Sequence, residues 1–192
     1  MFYVILDLGT KYYLRKVLTL LKSYELTIAG LTRLLPLVDI GNHLAVANFT
    51  LLGDAELTTT AAQQLVGQLP PVDYLVTADA KGIPLAHELA RLLLQPTYIV
   101  ARQSKKAYMK EPLTLAHTDL TLDGRDAQLI KDKRVILVDD IISTGESLNN
   151  LEQLVTLAGA TVITRVAILA EGYAAKRKDI IYLEKLPIFD TL

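Results

Sequence analysis

Residues 135–147 read VILVDDIISTGES, a strand pattern that ends in two adjacent acids. Four aliphatic residues, Val135 to Val138, indicate a buried strand, and two carboxylates, Asp139 and Asp140, follow at once. Burying an unpaired acid costs on the order of several kcal/mol, so the pair must lie where something uses its charge. Small hydroxyl residues and a glycine come next, and then the pattern of an amphipathic helix.

The chain around this stretch alternates strand patterns with helix patterns. Apolar runs predict strands over 74–78, 98–101, 135–138 and 162–169. Helices are expected over 55–67, from Pro84 onward, and over 146–158, where Asp54, Pro84 and Gly159 supply the end signals. Buried strands separated by amphipathic helices predict a parallel sheet covered on both faces, in a doubly wound α/β fold.

The composition excludes several classes of protein. A chain of 192 residues with 51% hydrophobic and 21% charged residues fits one globular domain. A net charge of −1 without a basic block favours neither nucleic acid nor a membrane as partner. The absence of cysteine excludes disulfides, thiolate metal sites and cysteine nucleophiles. Charged residues interrupt the apolar N-terminal segment, so we expect a cytoplasmic protein.

The residues that follow the strand Val135 to Val138 suit a phosphorylated sugar. Ligands of open α/β sheets bind beyond the carboxyl ends of the strands, which is where Asp139 and Asp140 are expected. The next five residues, here termed the phosphate loop, are Ser143, Thr144, Gly145, Glu146 and Ser147. Backbone N–H groups, hydroxyls and a helix N-terminus make an anion site, while the acids suit ribose hydroxyls or hydrated Mg²⁺.

In order and spacing, VILVDDIISTGES resembles the phosphoribosyl-pyrophosphate (PRPP) signature of type I phosphoribosyltransferases. The resemblance implies a parallel sheet flanked by helices with a small N-terminal hood. It implies one domain over 1–192, with the hood in about 1–50 and the α/β core in about 51–192. By resemblance, Asp139 and Asp140 are the catalytic acids on the ribose ring, and the phosphate loop binds the 5′-phosphate. A receiver domain, which the VILVDD run also resembles, and a strand-end acid pair beside a solvated loop are the alternatives.

A second turn resembles the pyrophosphate loop of the adenine phosphoribosyltransferase group. It comprises Asp79, Ala80, Lys81 and Gly82 and is here termed the pyrophosphate turn. The resemblance implies that Ala80, Lys81 and Gly82 bind the leaving pyrophosphate, and that the peptide bond before the basic residue, Ala80–Lys81, is cis. An ordinary strand-to-helix turn with an exposed lysine is the alternative.

The segment after the next strand offers two further cations. Arg102 and Lys106 match an arginine and a lysine that adenine-type enzymes carry there, which implies contacts to pyrophosphate. Lys105 is an alternative to Lys106, and a solvated basic loop is the alternative to both. The resemblance also implies Mg²⁺ that arrives with PRPP, near Asp79 and Asp139, rather than a metal site of the protein's own.

The segments that would contact the base and close the site are less specific. Residues 24–38 correspond to the hood and contain Arg33, either a substrate contact or a surface residue. Residues 167–189 correspond to the tail that completes the base pocket. Ser143 stands where hypoxanthine- and guanine-specific enzymes usually carry an acid, which favours adenine. Residues 112–129, in the place of the flexible lid, look short for that role.

These observations predict a Mg²⁺-dependent phosphoribosyltransferase of the adenine type, acting on PRPP and a nucleobase. Relatives imply a homodimer, and neither nucleic acid nor a membrane is expected as a partner. The alternative is a regulatory protein that senses PRPP or a nucleotide without turnover, which the short lid favours. An enzyme that uses another phosphorylated ribose is a third possibility.

Overall fold

A computed structural model describes residues 23–190, so expectations on residues 1–22 lie outside the described part. The strands, in chain order, are β1 (Ser23–Ile28), β2 (Leu31–Gly41), β3 (Leu44–Ala47), β4 (Tyr74–Ala78), β5 (Ile99–Ala101), β6 (Leu113–Thr114), β7 (Thr121–Leu122), β8 (Arg134–Ile142), β9 (Thr161–Glu171), β10 (Ile180–Leu186) and β11 (Ile188–Asp190). The helices are α1 (Ala55–Val66), α2 (Ile83–Leu92), α3 (Gly124–Ile130) and α4 (Glu146–Leu157), with a 3₁₀ turn over Gly172–Lys176.

The described residues form two compact units. The first comprises residues 23–49 and 187–190, and the second is Thr50–Leu186. The acid pair, the phosphate loop, the pyrophosphate turn and the two cations Arg102 and Lys106 belong to the second unit, whereas Arg33 belongs to the first. The organisation of the chain as one domain over 1–192 stays a prediction.

A five-stranded sheet forms the centre of the second unit. Its strand order is β10-β9-β8-β4-β5, and every neighbouring pair is parallel. Apolar side chains of its two central strands are fully buried, among them Leu75, Val76, Ile136 and Leu137. The predicted parallel α/β sheet flanked by helices is confirmed.

The strand that carries the acid pair is longer than the sequence predicted. The apolar run indicated residues 135–138, whereas β8 spans Arg134–Ile142. On one side, pairing with β4 ends at Val138 opposite Thr77, while on the other side pairing with β9 continues to Ile142 opposite Ala170. The acids therefore lie within the strand beside β9 and beyond the last residue pair with β4.

The predicted helix ends are confirmed. Asp54 caps α1, because its Oδ1 accepts a hydrogen bond from Leu57 N at 3.0 Å. Pro84 lies in the first turn of α2, where a missing N–H costs nothing. Gly159 follows α4 with φ +85°, a left-handed conformation that glycine adopts without strain.

The segment predicted as a short lid is an ordered hairpin and helix. Strands β6 and β7 pair antiparallel, and Asp123 caps α3 through a 3.1 Å bond from Arg125 N. A Cβ on Gly124 would lie 2.5 Å from Lys110 O and 2.6 Å from Glu111 O, so only glycine fits there. The sequence did not predict these elements because two-residue strands are too short to show periodicity.

The first unit is a four-stranded antiparallel sheet in the order β1-β2-β3-β11. Ala29 and Gly30, with φ of +53° and +82°, form the two-residue turn between β1 and β2. The sequence predicted irregular strands because Pro36 and Gly41 interrupt its apolar runs. The sheet corresponds to the predicted N-terminal hood, and Arg33 is half-buried within it. Among residues 23–190, no helix is both long and apolar enough to cross a membrane.

Candidate functional site

The candidate residues follow three neighbouring strands. The pyrophosphate turn follows β4, the basic segment 102–106 follows β5, and the acid pair and the phosphate loop belong to the end of β8. Because β8, β4 and β5 are adjacent and parallel, their carboxyl ends meet at one edge of the sheet. The fold thus brings all three predicted segments to the edge where α/β proteins bind ligands.

Gly82 allows the pyrophosphate turn to approach the acid pair. A Cβ on Gly82 would clash with Thr77 Oγ1 and would lie 2.8 Å from Val138 O and 3.0 Å from the Asp139 Cα. Backbone atoms cannot move aside as the end of a flexible side chain can. Glycine is therefore required at this position, and it holds Ala80 and Lys81 beside the start of the acid pair.

The cis peptide bond of this turn lies one residue earlier than predicted. The resemblance indicated Ala80–Lys81, and the structure has the cis bond at Asp79–Ala80. Asp79 N still donates a hydrogen bond to Ala101 O at 2.9 Å, so sheet pairing persists as far as Asp79.

The acid pair is held by backbone hydrogen bonds. Asp140 N donates to Asp139 Oδ1, and Ile141 N donates to Asp140 Oδ1, both at 2.9 Å. Asp140 is only 3% exposed, and its second oxygen, Oδ2, is buried without a hydrogen-bond partner among residues 23–190. A buried acceptor without a partner is costly, so this oxygen suits a donor or a cation beyond those that residues 23–190 supply.

The electrostatics of the pair disfavour two full charges. Burial, followed by the neighbouring Asp140 carboxylate, raises the pKa of Asp139 to about 7. Burial likewise raises the pKa of Asp140, while the Lys81 cation and the backbone N–H groups of Ile141 and Leu51 oppose that rise. The site can hold a proton near neutral pH, and it favours ligands that donate hydrogen bonds.

The phosphate loop runs directly into α4. Gly145 has φ +81° at the N-cap of the helix, and its carbonyl accepts from Asn149 N at 2.8 Å. Thr144 and Ser147 are exposed, and Ser143 is half-buried. A polar cavity of about 470 Å³ borders the loop, and Gln103 and the tip of the β6–β7 hairpin complete its lining. Exposed hydroxyls at a helix N-terminus suit an anionic group.

The basic segment is attached to the pyrophosphate turn. Arg102 Nε lies 2.9 Å from Asp79 Oδ2, an ion pair in which the Nε proton makes no aligned hydrogen bond. Gln103 Nε2 donates to Asp79 O at 2.9 Å. Half-buried Lys106 donates through Nζ to Ser104 Oγ at 2.9 Å, whereas Lys105 is exposed. Asp79, predicted near Mg²⁺, thus has a cationic partner of its own.

The sequence analysis assigned no role to two residues that contact these segments, one within the basic segment and one from the tail. Gln103 binds the pyrophosphate turn, and Arg177, from the tail after β9, lies against the phosphate loop. A Cβ on Gly145 would be 3.1 Å from Arg177 Nη1. No local pattern marks either side chain, because both reach the site only through the three-dimensional path of the chain.

A family model for the phosphoribosyl transferase domain matches residues 56–187. Curated relatives include the hypoxanthine/guanine phosphoribosyltransferase of Methanothrix soehngenii, 31% identical over 109 residues, 55% of this chain and 56% of that protein. Another is the adenine phosphoribosyltransferase of Thermosipho melanesiensis, 26% identical over 132 residues, 67% of this chain and 75% of that protein. The chain spans about half the length of the first curated relatives it matches.

Solved structures share the fold. The adenine phosphoribosyltransferase of Thermoanaerobacter pseudethanolicus has a TM-score of 0.62 at 22% identity, over 79% of this chain and 95% of that one. The adenine phosphoribosyl transferase of Trypanosoma brucei, solved with AMP, pyrophosphate and ribose-5-phosphate, has a TM-score of 0.57 at 20% identity, over 89% and 78% of the two chains.

Proposed function

The chain belongs to the phosphoribosyl transferase domain family, and we propose that it transfers the 5-phosphoribosyl group of PRPP to a purine base. One observation carries the proposal: the buried Asp140 Oδ2 lacks a partner at a point flanked by the pyrophosphate turn and the phosphate loop. A ribose hydroxyl is the donor that such an oxygen needs. The two flanking segments suit the two phosphorylated ends of PRPP.

The reaction is a displacement at the anomeric carbon of the ribose. A ring nitrogen of the base attacks this carbon, and the carbon–nitrogen bond forms as the carbon–oxygen bond to pyrophosphate breaks. The bonding electrons leave with pyrophosphate, and the proton of the base nitrogen passes to solvent or to the leaving group. Asp139 and Asp140 orient the ribose and stabilise positive charge on its ring.

The cations of the site serve the leaving group. Lys81 and the backbone of Gly82 hold the pyrophosphate, with Ala80 in the same turn. Lys106 and Arg102 add positive charge, although Arg102 divides its charge between the ligand and Asp79. Because Asp79 keeps Arg102 in place, we expect the basic segment and the turn to act as one binding element.

Mg²⁺ is the cofactor that this proposal requires. Within residues 23–190, no cluster of three or more His, Cys, Asp or Glu residues is placed to hold a metal ion. The residues present fit an ion that takes most of its oxygen ligands from PRPP, with Asp139 and the unpartnered Asp140 Oδ2 as the carboxylate oxygens in reach. When bound, Mg²⁺ neutralises charge on the pyrophosphate.

Adenine is the base that we propose. Ser143 provides a hydroxyl instead of an acidic partner for the purine ring, which suits adenine. Hypoxanthine and guanine are the second choice, because curated relatives with that specificity in their name match the chain. We also propose that the protein acts in the cytoplasm and as a homodimer.

A sensor of PRPP without turnover is the second candidate function. The hairpin β6–β7 that stands in the place of a lid has only two residues in each strand. A lid this short leaves water closer to the reacting carbon than a long one does, which lowers transfer relative to binding.

The test incubates the protein with PRPP, Mg²⁺ and adenine, hypoxanthine or guanine, and detects nucleotide and pyrophosphate by mass spectrometry. We expect AMP from adenine, and its loss in Asp140→Asn. Exposed Asp132, which precedes β8 and so lies at the opposite end of that strand from the acid pair, provides the matched control in Asp132→Asn, which should stay active. Binding of PRPP without any nucleotide product would favour the sensor, and absence of binding would refute both functions.

A further inference from the structure

The phosphate loop lacks a cation of its own. Of its five residues only Glu146 is charged, and that side chain is acidic and exposed. A sugar phosphate carries nearly two negative charges at neutral pH, and uncharged backbone N–H groups and hydroxyls must offset both that charge and the nearby carboxylate. A cation from another part of the fold would remove this mismatch.

Arg177 is such a cation. It follows the 3₁₀ turn Gly172–Lys176, and its Nη1 would lie 3.1 Å from a Cβ built on Gly145. The guanidinium therefore lies directly beside the residue at which the phosphate loop enters α4. Its side chain is 23% exposed, so the charge is only partly screened by water.

Asp179 fixes which nitrogen of Arg177 faces the loop. Arg177 Nε donates to Asp179 Oδ1 at 3.0 Å, and Nη2 donates to Asp179 Oδ2 at 2.6 Å. This bidentate arrangement uses Nε and Nη2 and leaves Nη1 as the guanidinium nitrogen that does not bind Asp179. Within residues 23–190, Nη1 donates no hydrogen bond of its own.

A second arginine anchors Asp179 to the helix behind the loop. Arg165 Nη1 lies 3.2 Å from Asp179 Oδ2, and Arg165 Nη2 is in contact with Glu152 Oε1 on α4. The hydrogen bonds of Arg177, ahead of the other causes, lower the pKa of Asp179 to about 2, so this acid stays ionised. The four side chains form a neutral network that positions Arg177 relative to α4.

We infer that Arg177 binds the 5′-phosphate end of the substrate through Nη1, and that Asp179 is the positioning residue that orients it. This inference rests on the proposed function, since it assumes that a phosphoribosyl group occupies the phosphate loop. It adds a side chain from the C-terminal tail to a site otherwise built from β8 and its loop.

The test measures binding of two separate ligands by calorimetry: ribose 5-phosphate for the phosphate loop, and inorganic pyrophosphate with Mg²⁺ for the pyrophosphate turn. Arg177→Gln should lower the affinity for ribose 5-phosphate roughly 10- to 100-fold, which is the range for a hydrogen bond to a charged group. It should leave the affinity for pyrophosphate unchanged. Arg177→Lys keeps the charge and should recover part of the loss. Arg91→Gln, which breaks an ion pair with Glu88 on α2 outside this network, is the matched control and should change ribose 5-phosphate affinity less than about threefold.

Three results would overturn the inference. Equal loss of affinity for both ligands in Arg177→Gln, or an equal loss of ribose 5-phosphate affinity in Arg91→Gln, would mean that the effect is not local to the phosphate loop. Unchanged ribose 5-phosphate affinity in Arg177→Gln would refute the inference alone. If the unaltered protein binds neither ribose 5-phosphate nor PRPP, the proposed function fails, and the inference fails with it.

Discussion

The Thr50–Leu186 unit holds acids in two opposite electrostatic environments: the first contains Asp179, and the second contains Asp139 and Asp140. Asp179 has two arginine partners, and its pKa falls to about 2. Asp139 and Asp140 lie beside each other with burial as the largest influence, and both pKa values rise. The first group is compensated within the fold. The second keeps an unmet demand for donors, which is expected where a ligand supplies them.

Removing one acid of the uncompensated pair should have the largest effect on activity. We expect Asp140→Asn to reduce nucleotide formation by on the order of 1,000-fold, because it removes the carboxylate that orients the ribose and stabilises its positive charge. Steady-state kinetics by detection of pyrophosphate checks this. An active Asp140→Asn enzyme would show that the buried oxygen serves folding rather than the ligand.

Adding a methyl group at Gly82 tests the close contact between the pyrophosphate turn and the acid pair. We expect Gly82→Ala to reduce the free energy of unfolding by roughly 2–4 kcal/mol, since its Cβ would meet backbone atoms of Val138 and Asp139. Urea denaturation provides the measurement. Gly67→Ala is the matched control, because a Cβ there meets nothing within 4 Å. Equal stability of the two variants would contradict the close approach.

Neutralising Asp139 should stabilise the protein, and the gain should depend on pH. Asp139 stays protonated in the folded protein up to about pH 7, whereas its pKa in the unfolded chain is near 4. This proton therefore contributes stability that is fully present below pH 4 and is lost as pH rises through 7. Relative to the unaltered protein, Asp139→Asn should gain on the order of 2 kcal/mol at pH 8 and little at pH 4. Thermal unfolding across this range measures the difference. A gain that is independent of pH would refute the raised pKa.

Neutralising Asp179 should lower the free energy of unfolding, and by less than neutralising Asp139 raises it. Its depressed pKa contributes stability above pH 4, and that stability is lost as pH falls toward 2. Asp179 is 45% exposed, so we expect Asp179→Asn to cost only about 1 kcal/mol at pH 7. The same unfolding series provides the comparison with Asp139→Asn. Stabilisation by Asp179→Asn would remove the contrast between the two groups.

Removing the hydrogen bond between Gln103 and the pyrophosphate turn should have the smallest effect. Gln103→Ala removes the bond to Asp79 O and should raise the KM for PRPP a few-fold, with little change in stability. Gln95, whose amide donates to Val72 O at 3.2 Å, offers a control with the same chemistry away from the candidate segments. If Gln95→Ala raises the KM equally, the effect of Gln103 is not local.

The parts of this molecule that the sequence predicted are those written in consecutive residues. Helix α1 with its Asp54 cap, strand β4 and the order of acids and phosphate loop in 135–147 all follow from local pattern. The extent of β8 did not follow, because pairing with β9 carries the strand through two carboxylates. Arg177 and Gln103 were missed for the same kind of reason. Their roles depend on tertiary contacts between segments that are remote in sequence.

Proton release on binding tests most directly whether the acid pair is left uncompensated for the ribose of PRPP. Calorimetry of PRPP and Mg²⁺ at pH 7, in buffers of different ionisation enthalpy, counts the protons exchanged. We expect release of roughly half a proton from Asp139, since donors from the ribose or a cation lower its pKa from about 7. Asp139→Asn should lack this component. Equal proton exchange in both proteins would contradict this expectation.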